Sequence, residues 1–144
     1  MYINFEILKD RNQDIYEIYN LALGAENKKI DLNIETFNYG QSNSILNAGT
    51  ITNLYPYIEF HDKIQVDMVK LDDFMSNYHA KNNDKFFNFI SIDVQGYELE
   101  VFKGSKNVLN HIDYIFTEVN RDTVYENNAM IEDLDKFLSE YNFK

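Results

Sequence analysis

The chain of 144 residues has no cysteine and no tryptophan, a single proline and only five glycines. Without thiols it forms no disulfide and offers no thiolate nucleophile or thiolate metal ligand. Basic residues are also scarce, thirteen Lys and Arg against 24 Asp and Glu, which leaves a net charge of -11. They are scattered, and the longest basic run is Lys28-Lys29. Nucleic acid is gripped through a Lys/Arg footprint on its phosphates, so no nucleic-acid partner is expected, and no anionic membrane surface. Uncharged apolar runs fall far short of the roughly 20 residues of a membrane helix. The first dozen residues carry Glu6, Lys9, Asp10 and Arg11, where a signal peptide would be apolar. A soluble, cytoplasmic protein is the expectation.

The five glycines, Gly24, Gly40, Gly49, Gly96 and Gly104, fit neither the dinucleotide-binding nor the P-loop spacing. His61, His79 and His111 lack metal-ligand spacing and read as surface residues. Ser42 and Ser44 have no base nearby, so a nucleophilic triad has no support. What is plentiful is apolar sequence, 44% of the chain with 15% aromatic. That suits one domain over residues 1–144, burying roughly two thirds of its unfolded surface.

Residues 3–13 read as a short helical lead-in. "DIYEIYNLALG", Asp14 to Gly24, reads as a long strand ended by glycine. "KIDLNIETF" alternates, with Ile30, Leu32 and Ile34 on one face, and the Glu26-Asn27-Lys28 turn would fold these two segments into an antiparallel hairpin. Asn38 to Thr50 is a polar loop. "KIQVDMVK", Lys63 to Lys70, is another alternating strand and runs into the helix "LDDFMSNYH", whose Asp72-Asp73 pair reads as helix-start carboxylates. The second half differs. "FFNFISIDV", Phe86 to Val94, is nearly continuous apolar sequence, the pattern of a parallel strand covered on both faces. A helix from Tyr97 to about Leu109, the strand Asp113 to Asn120 and a helix through Met130, Ile131, Leu134, Phe137, Leu138 and Tyr141 complete an α/β layer.

Open α/β sheets bind ligands beyond the carboxyl ends of their strands. Asp93 ends the first parallel strand, and Glu118 and Asn120 end the second. Three oxygen ligands on one rim suit a hard cation such as Mg²⁺, or the orientation of a substrate hydroxyl or amine. Asp93 reads equally well as the N-cap of the next helix, and Glu118 as a solvated strand end. Glu98 is harder to place. At about 100° per residue it falls inside the apolar arc of Val101, Phe102, Val108 and Leu109, opposite Glu100, Lys103 and Asn107. An uncompensated carboxylate there costs several kcal/mol, while the helix N-terminus returns only ~0.3–1 kcal/mol. Glu98 therefore needs a specific partner, structural or functional. Gly96 suits a tight turn, and Gly104 close packing on the sheet.

"FISIDVQGYELEVFKGSKNVL" followed by "YIFTEVN" strongly resembles the FkbM family of S-adenosylmethionine-dependent methyltransferases. "VDMVKLDDFM", "LALGAENKKIDLNI" and "GQSNSIL" agree with further family segments in the expected order, so the likeness runs from about Tyr19 to Phe143. It implies a Rossmann-like methyltransferase fold, here partial, a parallel sheet with an antiparallel hairpin. It also implies S-adenosylmethionine as cofactor and O-methylation, occasionally N-methylation, of a small-molecule or glycan acceptor. Asp93, Gly96 and Glu98 fall on the signature turn and Glu118 on the next strand end. Catalysis is thus assigned to Asp93, Glu98 and Glu118, and acceptor contacts to Gly96, Asn120 and Ser44. Any Mg²⁺ would sit on Asp93, Glu118 and Asn120. The family's D-x-G-A-x-x-G cofactor loop has no counterpart, so the chain is expected to hold the middle and acceptor side of the enzyme. Its missing half would then come from a homo-oligomer or a complementing chain. The competing expectation is a non-catalytic remnant that binds a sugar-like ligand or a partner.

Overall fold

The computed structural model describes residues 17–82 and 87–144. The helical lead-in expected over 3–13, and the start of the strand expected from Asp14, lie outside the described residues. In chain order the elements are β1 (Ala22–Leu23), β2 (Lys28–Glu35), α1 (Ile51–Leu54), β3 (Phe60–Val69) and α2 (Leu71–Asn82), then β4 (Phe89–Ile92), α3 (Glu98–Lys103), α4 (Lys106–Leu109), β5 (Tyr114–Thr117) and α5 (Ile131–Ser139). No helix among the described residues is long and apolar enough to cross a membrane.

The expected hairpin between the first two strands does not form. Among the described residues of the first segment only Ala22–Leu23 is strand, and it pairs parallel to β3 through Ala22 and Met68. Strand β2 pairs antiparallel to the other side of β3, so the sheet order is β1-β3-β2. The apolar alternation explains the choice of partner. Ile30 faces Val66 and Leu32 faces Ile64, which keeps both apolar sets on one face. Lys29 also meets its register partner Asp67 at 2.7 Å. Asn27 works against a tight turn: its Oδ1 accepts the Lys70 N–H and its Nδ2 donates to Asp73, so the chain is tied to the end of β3 and passes around it.

Strands β4 and β5 form a separate parallel pair in register from Phe89–Tyr114 to Ile92–Thr117. The sequence suggests that β4 is covered on both faces, but only one face is. Ile90, Ile92 and Ile115 point into a core with Val101, Phe102, Leu109 and Leu134. Phe89, Tyr114 and Phe116 point outward, 56%, 68% and 69% exposed. Apolar content gives no sign of which face will find a cover, and here nothing among the described residues packs against the second one.

The single long helix expected after β4 is broken. Gly104 and Ser105 separate α3 from α4, and the Ser105 hydroxyl donates back to the Val101 carbonyl at 2.6 Å. Gly104 packs on the Gly24 backbone beyond β1, not on a sheet, and a Cβ there would lie 2.0 Å from the Gly24 oxygen. Asp72 opens α2 as expected, but its carboxylate reaches across to accept the Asn107 and Val108 N–H groups of α4. Asp133 does the conventional work at the start of α5, accepting the Met130 N–H at 3.0 Å. A second, smaller core gathers Ile51, Ile58 and Tyr125 with Leu46 and Val124. It fixes the long loop after β2 against the segment that follows β5, and the candidate site lies where that loop meets the end of β4.

Candidate functional site at the carboxyl end of the parallel strands

Strand β4 stops at Ile92, and the next residues reverse direction within one turn. Gln95 and Gly96 both adopt positive φ, 53° and 96°. Two successive left-handed residues swing the chain back so that Glu98, the first residue of α3, lies beneath the turn. Its Oε1 accepts the N–H groups of Val94 at 3.2 Å and Gly96 at 3.1 Å. Glu98 is fully buried, at 0% exposure. Its Oε2 is sealed from solvent and has no hydrogen-bond donor. The partner required by the helical-arc argument is therefore backbone for one oxygen and absent for the other.

Glu118 arrives from the neighbouring strand. Its N–H donates to the Ile92 carbonyl at 3.3 Å, which extends the ladder by one residue and sets its side chain beside Asp93. Carboxylate oxygens of Asp93, Glu98 and Glu118 all lie within 4.8 Å of one another. Asp93 is exposed and is not a helix cap: Tyr97 holds the N-cap position of α3, without a side-chain cap bond. The sequence places Asp93, Glu118 and Asn120 on one rim, and the family likeness groups Glu98 with Asp93 and Glu118; the structure brings carboxylate oxygens of those three acids together.

Gln95 sits between two of the acids. Its Nε2 donates to Asp93 Oδ1 at 2.6 Å and to Glu118 Oε2 at 3.1 Å. Its Oε1 accepts from the hydroxyl of Tyr125 at 3.0 Å, and that hydroxyl also lies 3.2 Å from the Ser42 carbonyl. Ser44 is buried, and its hydroxyl is engaged, donating to the Gln95 carbonyl at 2.7 Å and accepting the Leu46 N–H. Ser44 thus acts on the turn. Gly96 is packed as well, since a Cβ there would come within 3.0 Å of Asn128 and 3.2 Å of Leu46 and Tyr125. Asn120 is buried with its Nδ2 unpartnered.

Gln95 and Tyr125 were not singled out from the sequence. Gln95 lies in the quoted turn, where an amide between two acids at i−2 and i+3 was the available signal. Tyr125, in "TVYENN", has no periodic context, and only the packing of the distant loop brings it here. Of the histidines, His79 is half-buried and not a surface residue, while His61 and His111 are exposed. A cavity of about 680 Å³ lies at the opposite, amino-terminal end of β4, lined by Leu71, Phe74, Tyr78, Phe89, Val108 and Ile112. Glu17, Asp72, His79 and His111 also line that cavity, but the three carboxylates whose oxygens lie within 4.8 Å of one another are at the turn, and the candidate site is taken there.

Burial, then the charges of Asp93 and Glu98, push the Glu118 carboxyl above its ordinary value, against a smaller lowering by the Gln95 amide. Burial also raises the Tyr125 phenol, against a lowering by its Ser42 bond. The sign for Glu118 follows by linkage. A carboxyl raised in the folded state contributes its stability below the unfolded value of about 4.3. That contribution is lost as pH rises through the folded value. In chelator-treated buffer, Glu118→Gln is therefore expected to melt higher than the parent chain at neutral pH. The advantage should vanish at acid pH, below the ordinary carboxylate range. Equal melting temperatures at both ends of the titration would remove the proposed repulsion.

The chain is 27% identical over 118 residues to the 2-O-methyltransferase NoeI of Sinorhizobium fredii (strain NBRC 101917 / NGR234), covering 78% of this chain and 47% of that protein. It thus spans about half the length of that curated relative. No solved structure matches it. The methyltransferase FkbM domain matches residues 2–144, a wider span than the motifs mark, and on that match the chain belongs to the FkbM methyltransferase family.

Proposed function

We propose that the chain acts in S-adenosylmethionine-dependent O-methylation of a hydroxyl on a small molecule or glycan, on a Rossmann-like scaffold, and that it supplies the acceptor side of the site. The observation that carries this reading is the convergence of Asp93, Glu98 and Glu118 at the carboxyl ends of β4 and β5. Family membership and the 2-O-methyltransferase relative support it. A hydroxyl is a poor nucleophile until its proton is drawn away. A carboxylate in hydrogen-bond reach accelerates such a step by typically 10²–10⁴-fold. Glu118, its carboxyl raised above the ordinary value and exposed at the rim, is assigned as the proton acceptor. Asp93 orients the acceptor, and Asn120 offers its free amide N–H to a second acceptor oxygen. Gln95, held by Tyr125 and Ser44, fixes the spacing of Asp93 and Glu118.

The methyl donor does not fit the four glycines whose surroundings are defined. Gly24, Gly49, Gly96 and Gly104 all back onto protein atoms, so none opens a cradle for a nucleotide. We assign donor binding to elements outside the described residues, in this chain or in a complementing one. Calorimetry with S-adenosylmethionine or its demethylated product tests the assignment. Binding by the purified chain supports a self-sufficient enzyme, and silence at millimolar ligand rejects one. The same lack of a cradle favours the second reading, a ligand-binding module of methyltransferase descent. Methyl transfer to any acceptor would end that alternative.

A further inference from the structure

Among the described residues two carboxylates are almost completely inaccessible, Glu35 at 2% and Glu98 at 0%. They differ in how they are satisfied. Glu35 closes the turn after β2, with Oε1 accepting the Asn38 N–H and Oε2 the Gly40 N–H at 3.2 Å. Each of its oxygens has a donor, as buried polar atoms normally do. Glu98 has donors for Oε1 only. A buried carboxylate left half-paired costs several kcal/mol, and this one lies against two further carboxylates.

Among the described residues no ion pair reaches these acids: those formed by Lys28, Lys29, His61, Lys70 and Lys103 involve other acids. Only the neutral Gln95 amide and two backbone N–H groups face the three carboxylates.

We propose that Asp93, Glu98 and Glu118 together bind one hard divalent cation of the Mg²⁺, Mn²⁺ or Ca²⁺ class, with the unpaired Glu98 oxygen as its buried ligand. Two oxygens on one ion are separated by at most twice the metal–oxygen distance, about 4.1 Å for Mg²⁺ and roughly 4.6–5.2 Å for Ca²⁺. Oxygens within 4.8 Å of one another fall inside the pairwise Ca²⁺ range, and closing all three on one ion draws them inward by a few tenths of an ångström or more. An all-carboxylate set suits hard cations and lacks the thiolate and imidazole ligands typical of zinc and copper sites. The Gln95 amide partly fills the role now, lending its two N–H protons to Asp93 and Glu118. Rotating that amide half a turn presents Oε1 as a fourth oxygen, and Tyr125 then accepts from Nε2 where it had donated to Oε1. The ligand set differs from the rim set of Asp93, Glu118 and Asn120 by taking in the helix carboxylate.

The proposal stands apart from methyl transfer, since binding is read without donor or acceptor. The test is a Mn²⁺ titration of the chelator-stripped full chain, followed by electron paramagnetic resonance. One saturable site is expected, displaced by excess Ca²⁺ or Mg²⁺. Asp93→Asn and Glu118→Gln, both at exposed positions, should each weaken it tenfold or more. Asp31→Asn, an exposed acid on β2, should leave it unchanged and so controls for the diffuse negative charge of the chain. Absence of a saturable site, or unaltered affinity in both site variants, overturns the proposal. A site present without donor binding, or the reverse, separates this inference from the proposed enzyme activity.

Discussion

Replacing Gly104 with alanine is expected to cost about 3 kcal/mol, the upper end of ordinary overpacking. For a domain of this size that is a fall of roughly 6–12 °C in melting temperature. The added Cβ would lie 2.0 Å from the Gly24 carbonyl oxygen and 2.9 Å from its carbon. Both are backbone atoms, so relief requires moving β1 away from the break between α3 and α4. The Gly104 carbonyl also accepts the Asp72 N–H at 3.0 Å, and that link moves with it. Gly24→Ala is the informative contrast. Its Cβ would meet Met68 Sδ at 2.3 Å, but a thioether is flexible and can turn aside. Thermal melts of the two variants should rank Gly104→Ala well below Gly24→Ala. A Gly104→Ala chain that melts with the parent would mean that the glycine contact is not formed.

Glu98→Gln should abolish methyl transfer while the fold persists, because it removes the buried charge that helps to raise the carboxyl of the proton acceptor Glu118. The amide keeps an oxygen to accept the Val94 and Gly96 N–H groups, so the turn and the start of α3 retain their hydrogen bonds. What changes is the second position, where Oε2 gives way to an NH₂ that carries no charge and points donors at the neighbouring acids. The variant removes one of three converging negative charges and should fold at least as well as the parent. Circular dichroism and melting temperature check the fold, and transfer to a hydroxylated acceptor checks the chemistry. Retained transfer would leave Glu98 a structural residue only. Glu98→Ala is the poorer experiment, because it strips both N–H groups of their acceptor and confounds the two effects.

Much of the second half was legible in the sequence. The apolar run through Ile92, the helix after the turn, the strand ending at Thr117 and the periodic helix from Ile131 all appear, with bounds shifted by a few residues. The signals were local: hydrophobic period, a glycine at a turn, acids at a strand end. Glu98 is buried as the arc argument expects, but only Val101 and Phe102 share its helix, because the break at Gly104 and Ser105 takes Val108 and Leu109 off that arc. The first half was less legible. Ile30, Leu32 and Ile34 announce a strand but not its partner, and the partner is β3 because its own alternation fits that register. Gly104 announces close packing but not against what.

By itself the sequence determined the element types of the α/β half, the acidic character of the candidate site and the family likeness. Each is encoded in the spacing of neighbouring residues. Only the tertiary structure decided that β1 and β2 flank β3, that one face of the β4–β5 pair stays open, and that Gln95 sits under Tyr125 between Asp93 and Glu118. It alone showed that one Glu98 oxygen is satisfied and the other is not. These are matters of which distant groups share a volume, set by competition among packings of similar local propensity, and spacing along the chain carries no record of that competition.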